Sequence, residues 1–200
     1  MANGTLKVEN IQTSSGSGTI TLGQSGETVT VPSGATLDMT NATMSLNSSM
    51  KNTPAFHVKL NADQSISDNV FTVVAYDTVI LDTDNGFSTS TYRYTCPSGK
   101  SGKYFIGGTI VNNTGANSVL NYSDMYIYKN TAIHSYQIIQ LVSNPGRQIS
   151  LNFGTFMDLS DSDYVEIQGR SDRTAAGTLN FRGDSAREET RLYGFRIIGA

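Results

Sequence analysis

The sequence predicts an all-β protein, and three observations carry that prediction. Short apolar segments recur about every 10 to 20 residues from Pro54 onward, separated by clusters of Gly, Pro, Asn and Asp, which is the rhythm of a sandwich. Glycine reaches 19 of 200 residues, Trp is absent and only 16% of residues are charged, a composition suited to many turns. The stretch YRYTCPSGKSGKYFIGGTIV, Tyr92 to Val111, reads as strand, sharp turn and strand. Pro97 fixes φ there, and Gly99 and Gly102 supply the conformations that a tight corner needs.

Residues 1 to 53 have a different texture. They carry no aromatic residue and only Lys7, Glu9, Glu27, Asp38 and Lys51 as charges. A four-residue unit recurs at Thr5 to Val8, Thr19 to Leu22, Thr28 to Val31, Thr36 to Met39 and Thr43 to Leu46. Each unit alternates Thr with apolar residues and is followed by a turn, as stacked β rungs would be. Two readings stand. A Gly/Ser-rich leader can be a flexible coil. The regular return of paired apolar positions favours a short fibrous stalk, in which several copies bury Ile20, Leu22, Val29, Val31, Leu37, Met39 and Leu46 between them, because one chain of rungs cannot do so alone.

From residue 54 the elements follow in order. Ala55 to Leu60 alternates and makes a first strand. Val70 to Leu81 is long and apolar, giving two strand pieces joined by a bend, with a turn at Asp82 to Gly86. The corner comes next, and Gly107-Gly108 in its second strand predicts a bulge or a closely packed backbone. Asn112 to Gly115 reads as a turn. Asp124 to Lys129, Ser135 to Val142, Gln148 to Met157 and Tyr164 to Gln168 are further strands. Gly169 to Thr190 reads as the one long irregular piece, with a helical turn at Ser185 to Thr190. The last strand, Arg191 to Ile198, is apolar on both sides and belongs inside a sheet.

These pieces, in this order, resemble the C1q-like globular head of the tumour-necrosis-factor-like jelly rolls. PAFHVKL matches the family's opening A-F-x-x-x-L at Ala55, Phe56 and Leu60. Pro97, Tyr104 and Phe105 match its F-x-x-P-x-x-G-x-Y-x-F region, MYIYKN its strand ending in Lys-Asn, LSDSDYVEI its L-x-x-G-D-x-V-x-L, and RLYGFRII its final strand. Ser162 departs from the usual Gly, Tyr193 from the usual Phe, and the SGKSGKY turn is two residues longer. The leader, through Leu6 to Gln12 and Pro32 to Leu37, resembles the N-terminal arms of fibre proteins from tailed, particularly marine, bacteriophages. The resemblance implies a homotrimer: a three-chain stalk at 1–53 and a three-subunit jelly-roll head at 54–200.

Several function classes are disfavoured. A net charge of −3 gives no electrostatic footprint for nucleic acid. No apolar run reaches the roughly 18 to 20 residues needed to span a bilayer. MANGTLKVEN has neither a basic nor an apolar leader region, so synthesis in the cytosol is expected, and the sequons at Asn41, Asn47, Asn112 and Asn121 read as chance. Only His57 and His134 are available as bases, Cys96 stands alone, and the catalytic signatures are missing; no enzyme and no cofactor are expected. Asp82/Asp84/Asn85 and Asp158/Asp161/Asp163 are weak calcium candidates, with turn chemistry the ordinary reading. Six of the eight arginines, including Arg170, Arg173, Arg182 and Arg187, crowd the last 32 residues among Asp172, Asp184, Glu188 and Glu189. They form either a solvated loop with local ion pairs, an inter-subunit contact or a receptor surface. The expectation is a virion fibre that attaches a tailed phage to its host. It would join other virion proteins through residues 1–53 and meet a cell-surface glycan or protein through the head. A capsid-exterior decoration fibre, a cellular adhesion or glycan-binding module and a glycan depolymerase are the rivals.

Overall fold

The computed structural model describes residues 9, 11, 18–45, 53–141 and 143–198. The chain divides into two units, Met1–Ser45 and Leu46–Ala200.

In the first unit, turns close from the Glu27 amide to the Gln24 carbonyl at 3.0 Å, from Ala35 to Pro32 at 3.1 Å and from Ala42 to Met39 at 3.0 Å. Gly26 and Gly34 hold the third turn position with φ of 89° and 83°, as a type II turn requires. The third turn has no glycine; Asp38, just before it, accepts from the Thr40 amide through Oδ1 at 2.9 Å. The turns therefore start eight and then seven residues apart (24, 32, 39), in step with the Thr-rich repeat. Residues 18–45 form no strand pairing. Leu46 and most of Leu6 to Gln12 lie outside the described residues.

The second unit is all β. Its strands are β1 (Ala55–Lys59), β2 (Gln64–Ser65), β3 (Thr72–Val73), β4 (Thr78–Asp82), β5 (Phe87–Ser88), β6 (Arg93–Thr95) and β7 (Gly102–Asn113). They continue with β8 (Leu120–Lys129), β9 (Ala132–Gln140), β10 (Gln148–Leu159), β11 (Tyr164–Arg173), β12 (Asn180–Phe181) and β13 (Arg191–Arg196). The first sheet runs β2-β12-β7-β13-β1-β4, with β10 along the other edge of β7; the second runs β5-β6-β11-β8-β9, with β3 beside β11. Every pairing is antiparallel.

The core lies between the sheets. Val58, Ile106, Ile110, Met125, Ile127 and Val165 are fully buried. Phe56 of β1 stacks on Tyr94 of β6 with centroids 3.9 Å apart and planes 10° from parallel; such a pair adds about 0.5–1.5 kcal/mol beyond area burial. The terminal strand is interior, as expected, lying between β7 and β1.

Four details bear on the sequence reading: the first decides between its two alternatives, and the other three depart from it. The Gly107-Gly108 pair makes no bulge, since β7 stays in register with both β10 and β13. Close packing is the reason for it: a Cβ on Gly107 would lie 2.7 Å from the Tyr193 ring, and one on Gly108 would lie 2.7 Å from the Arg191 carbonyl. Asn112 is no turn residue, because β7 runs on to Asn113. Gly169 is inside β11, which continues to Arg173, and β12 interrupts the remainder. Residues 185–187 are bends, and no helix occurs among the described residues.

The departures at Asn112 and at Gly169 share a cause. The Ser171 Oγ donates to Asn112 Oδ1 at 2.7 Å and meets the Ser123 Oγ at 2.9 Å, with all three residues fully buried. A polar cluster inside the core breaks the apolar alternation from which strands are read.

Strand direction sorts the loops into two ends. β1 leaves Pro54 and β13 returns to it, where the Arg196 amide donates to the Pro54 carbonyl at 2.9 Å; this end is the base. The turns at 83–86, 96–101 and 160–163 share the base, whereas 60–63, 114–119 and 174–190 share the far end.

Candidate functional site

The outer face of the first sheet is apolar in transverse rows. Register sets Phe156 of β10 beside Phe105 of β7, and Phe105 beside Phe195 of β13. Ring centroids are 5.5 Å apart for Phe105 and Phe156 and 5.7 Å for Phe105 and Phe195. Phe156 is 67% exposed and Phe195 37%. The next row is Gly154, Gly107, Tyr193, His57 and Leu81. Here Gly107 leaves room for the Tyr193 ring and Gly154 for the Phe105 ring, and a hollow of about 410 Å³ opens beside His57, Tyr193 and Phe195. His57 Nε2 is 3.3 Å from Glu188, and its ring meets Tyr193 edge-on. Partial burial pushes the His57 pKa down, with Glu188 opposing. Lys59 closes this face at the far end, donating to the carbonyls of Asp184, Ser185 and Arg187 at 3.0, 2.9 and 3.3 Å.

The outer face of the second sheet is aromatic too, but hydroxylated and laced with paired charge. Tyr122, Asp124, Tyr126 and Tyr128 of β8 point this way, since Ser123, Met125 and Ile127 point into the core. Tyr126 stacks on Tyr136 of β9 at 5.5 Å with planes 19° apart, and Phe71 meets Tyr126 edge-on at 4.9 Å. Arg170 lies 4.4 Å over the Phe71 ring and 5.1 Å from that of Tyr122. Its Nε donates to Asp124 Oδ2 at 2.9 Å, and its Nη2 pairs with the same oxygen. Arg93 sits 4.1 Å over Tyr164 while its Nε donates to Glu166 at 2.7 Å.

The sequence-level candidates resolve residue by residue. All five weak calcium candidates fall at the base, where they serve turns and ion pairs. Asp82 accepts from the Gly86 and Phe87 amides at 3.0 and 2.8 Å, and Asp84 pairs with Lys100 at 2.9 Å. Asp158 pairs with Lys103 at 2.8 Å. Asp161 accepts from the Gly99 and Ser101 amides at 2.8 and 3.2 Å, anchoring the lengthened turn. Hydrogen bonds from Asn130, Ser160 and Lys129 hold the Asp163 carboxyl down at about 2. No group of three His, Cys, Asp or Glu suited to a metal occurs among the described residues.

Arg170 belongs to a strand on the second face, not to a loop. Arg173, Arg182 and Arg187 are at the far end, facing Asp68 at 3.8 Å, Glu189 at 2.7 Å and Glu189 at 3.8 Å. Cys96 is buried beside Tyr104, and burial pushes its thiol pKa up, away from nucleophilic use. In the first unit, Ile20, Leu22, Val29, Val31 and Leu37 are between 43% and 68% exposed, and Met39 is partly covered.

Both apolar faces escaped the sequence reading. One signal was available: Phe105 lies between the core residues Tyr104 and Ile106, so on a strand it must point the other way.

Among solved structures, the chain is similar to the globular domain of zebrafish complement 1qA, with 16% identity and a TM-score of 0.51 over 72% of this chain and 98% of that one. Crystal structures of murine APRIL at pH 5.0 and pH 8.5 match with 11% and 12% identity, each with a TM-score of 0.50 and the same coverage. The head is thus a jelly roll of the C1q and tumour-necrosis-factor type. No protein-family model matches the chain, and no curated protein matches it.

Proposed function

We propose that the protein is a non-enzymatic fibre of a tailed-phage virion: a homotrimer with residues 1–53 as stalk and 54–200 as head. It joins other virion proteins through the stalk, sits on the particle exterior and attaches the particle to its host through the head. The observation that carries this reading is a chain with two unmet apolar surfaces. One is the Phe156-Phe105-Phe195 row on the first sheet; the other is the series Ile20, Leu22, Val29, Val31 and Leu37. Each is satisfied by further copies of the same chain, and a contiguous apolar patch of this kind marks an interface. The jelly-roll fold supports a trimeric module, and the resemblance of the leader to phage fibre arms supplies the virion setting. Three identical heads turn weak single-site contacts into tight attachment by raising effective concentration.

Light scattering on the eluted protein tests the assembly: the expected mass is three times 21.5 kDa, and a monodisperse monomer overturns the trimer. Gold-labelled antibody on purified particles tests the setting. Label at the tail supports attachment, label over the capsid makes the protein a decoration fibre, and unlabelled particles overturn the virion reading. Incubation with host polysaccharide leaves chain lengths unchanged if the fibre is not a depolymerase.

A further inference from the structure

We infer that the outer face of the second sheet is a binding platform for an uncharged, hydroxyl-rich ligand, a neutral saccharide chain. This names the ligand class for the attachment reading and rests on it.

Geometry comes first. If copies of the chain cover the first sheet's outer face, the second sheet's outer face lies on the opposite side of the sandwich and stays free. It presents a grid, with side chains spaced about 4.8 Å between strands and about 6.8 Å along them. One row of the grid is Gln168, Tyr126 and Tyr136; the next is Arg170, Asp124 and Ile138. Tyr136 is 62% exposed, Phe71 and Ile138 are each 41% exposed, and Val70 is 50% exposed. Flat aromatic and aliphatic surface of this kind takes the C–H face of a sugar ring, while tyrosine hydroxyls and planar polar groups at its margins take the sugar hydroxyls.

Charge selects the ligand. Both cations of the face are already met, Arg170 by Asp124 and Arg93 by Glu166, so the platform offers no free cation to an anionic partner; its further carboxylate, Asp172, accepts from Asn121 Nδ2 at 2.6 Å. The far-end arginines Arg173, Arg182 and Arg187 likewise face carboxylates, which argues against an anionic glycan there as well.

Hydrogen-bonding capacity is left over. Arg170 Nε and Nη2 converge on Asp124 Oδ2, whereas Asp124 Oδ1 is buried and has no partner among the described residues. A buried carboxylate oxygen without a donor is costly. Asp124 lies between Tyr122 and Tyr126 on one face of β8, so this covered oxygen comes within reach of a ligand hydroxyl when those rings or the Arg170 guanidinium move aside.

The test uses the full-length protein on a printed array of neutral oligosaccharides (glucans, mannans, galactans and chitin fragments) beside sulfated and sialylated ones. The expected result is binding to a neutral class that persists when salt is raised from about 0.1 to 1 M, where exposed charges are screened within about 3 Å. Tyr136→Ala, which truncates an exposed ring, should weaken that binding about tenfold or more without changing the oligomeric mass. Tyr136→Phe, which keeps the ring, should stay within about twofold of the parent. Binding only to charged glycans, equal binding by Tyr136→Ala, or no array binding by a protein already shown to be trimeric and tail-located would each overturn the platform. Those outcomes leave the fibre reading standing. A monomeric protein that binds neutral glycans through Tyr136 would do the reverse.

Discussion

The two outer faces of the head are built from the same strand geometry but from different chemistry. The first sheet shows Phe156, Phe105 and Phe195 in one row, with no polar atom on any of the three side chains. The second shows Tyr122, Tyr126, Tyr128 and Tyr136 with two arginine–carboxylate pairs set among them. An all-hydrocarbon ring gains most when water is removed completely, which a close-packed copy of the chain achieves. A phenol gains when its ring is covered and its hydroxyl is still served. The faces therefore call for different occupants, and mutations should separate them.

The largest expected effect is on the first face. Phe156→Asp together with Phe195→Asp would place charges at the proposed contact between copies, where burying them unpaired costs several kcal/mol. Trimer association should fall more than about a thousandfold, read as a drop to monomer mass in light scattering, while binding by the second face is retained per head. Persistence of the trimer would put its interface elsewhere.

On the second face, Arg170→Ala would leave Asp124, whose side chain is 1% exposed, without its partner. The head should lose about 3 kcal/mol of stability in urea unfolding, with the mass of the assembly unchanged.

Two changes at the base should act on both faces alike and so serve as controls. The Asp163 carboxyl is held at about 2 by Asn130, Ser160 and Lys129, below the unfolded value near 3.9. A depressed carboxylate contributes stability that is complete above the unfolded value and is lost as pH falls through the folded one. Acid titration of unfolding should therefore show a decline between about pH 4 and pH 2 that Asp163→Asn flattens. Smallest is Ser162→Gly. Ser162 holds φ at 71°, a left-handed conformation in which a side chain is strained. Glycine there should raise stability by about 0.5 to 1 kcal/mol in thermal or chemical unfolding, with mass and binding unchanged.

Much of the fold was legible because strands such as Ala55 to Lys59 and Gln148 to Leu159 alternate and are bounded by turn residues. Ser162 shows how a departure from a motif can still obey it: the position demands a left-handed backbone, and serine tolerates what glycine prefers. Illegible were the places where the core itself is polar. Asn112, Ser123 and Ser171 are linked by hydrogen bonds across two sheets, so their strands looked like loops. The faces were harder still. Phe71 meets Arg170 across 99 positions of sequence, and whether Tyr126 or Ile127 points outward depends on a pairing that no local pattern states. Composition marked Arg170, Arg173, Arg182 and Arg187 as a cluster, but β11 carries the first onto the second sheet's face and leaves the other three at the far end.

One more consequence follows from the way β1 is held. It is hydrogen-bonded on both flanks, to β13 and to β4, and it begins directly after Pro54. Tension applied at Pro54 along the strand axis loads both ladders in shear, with many bonds sharing the force at once, instead of peeling them open one by one. Under the proposed fibre reading, drag on a tethered particle would load β1 in this shear geometry. Single-molecule stretching from residue 54 should show a higher rupture force than stretching from the 114–119 loop.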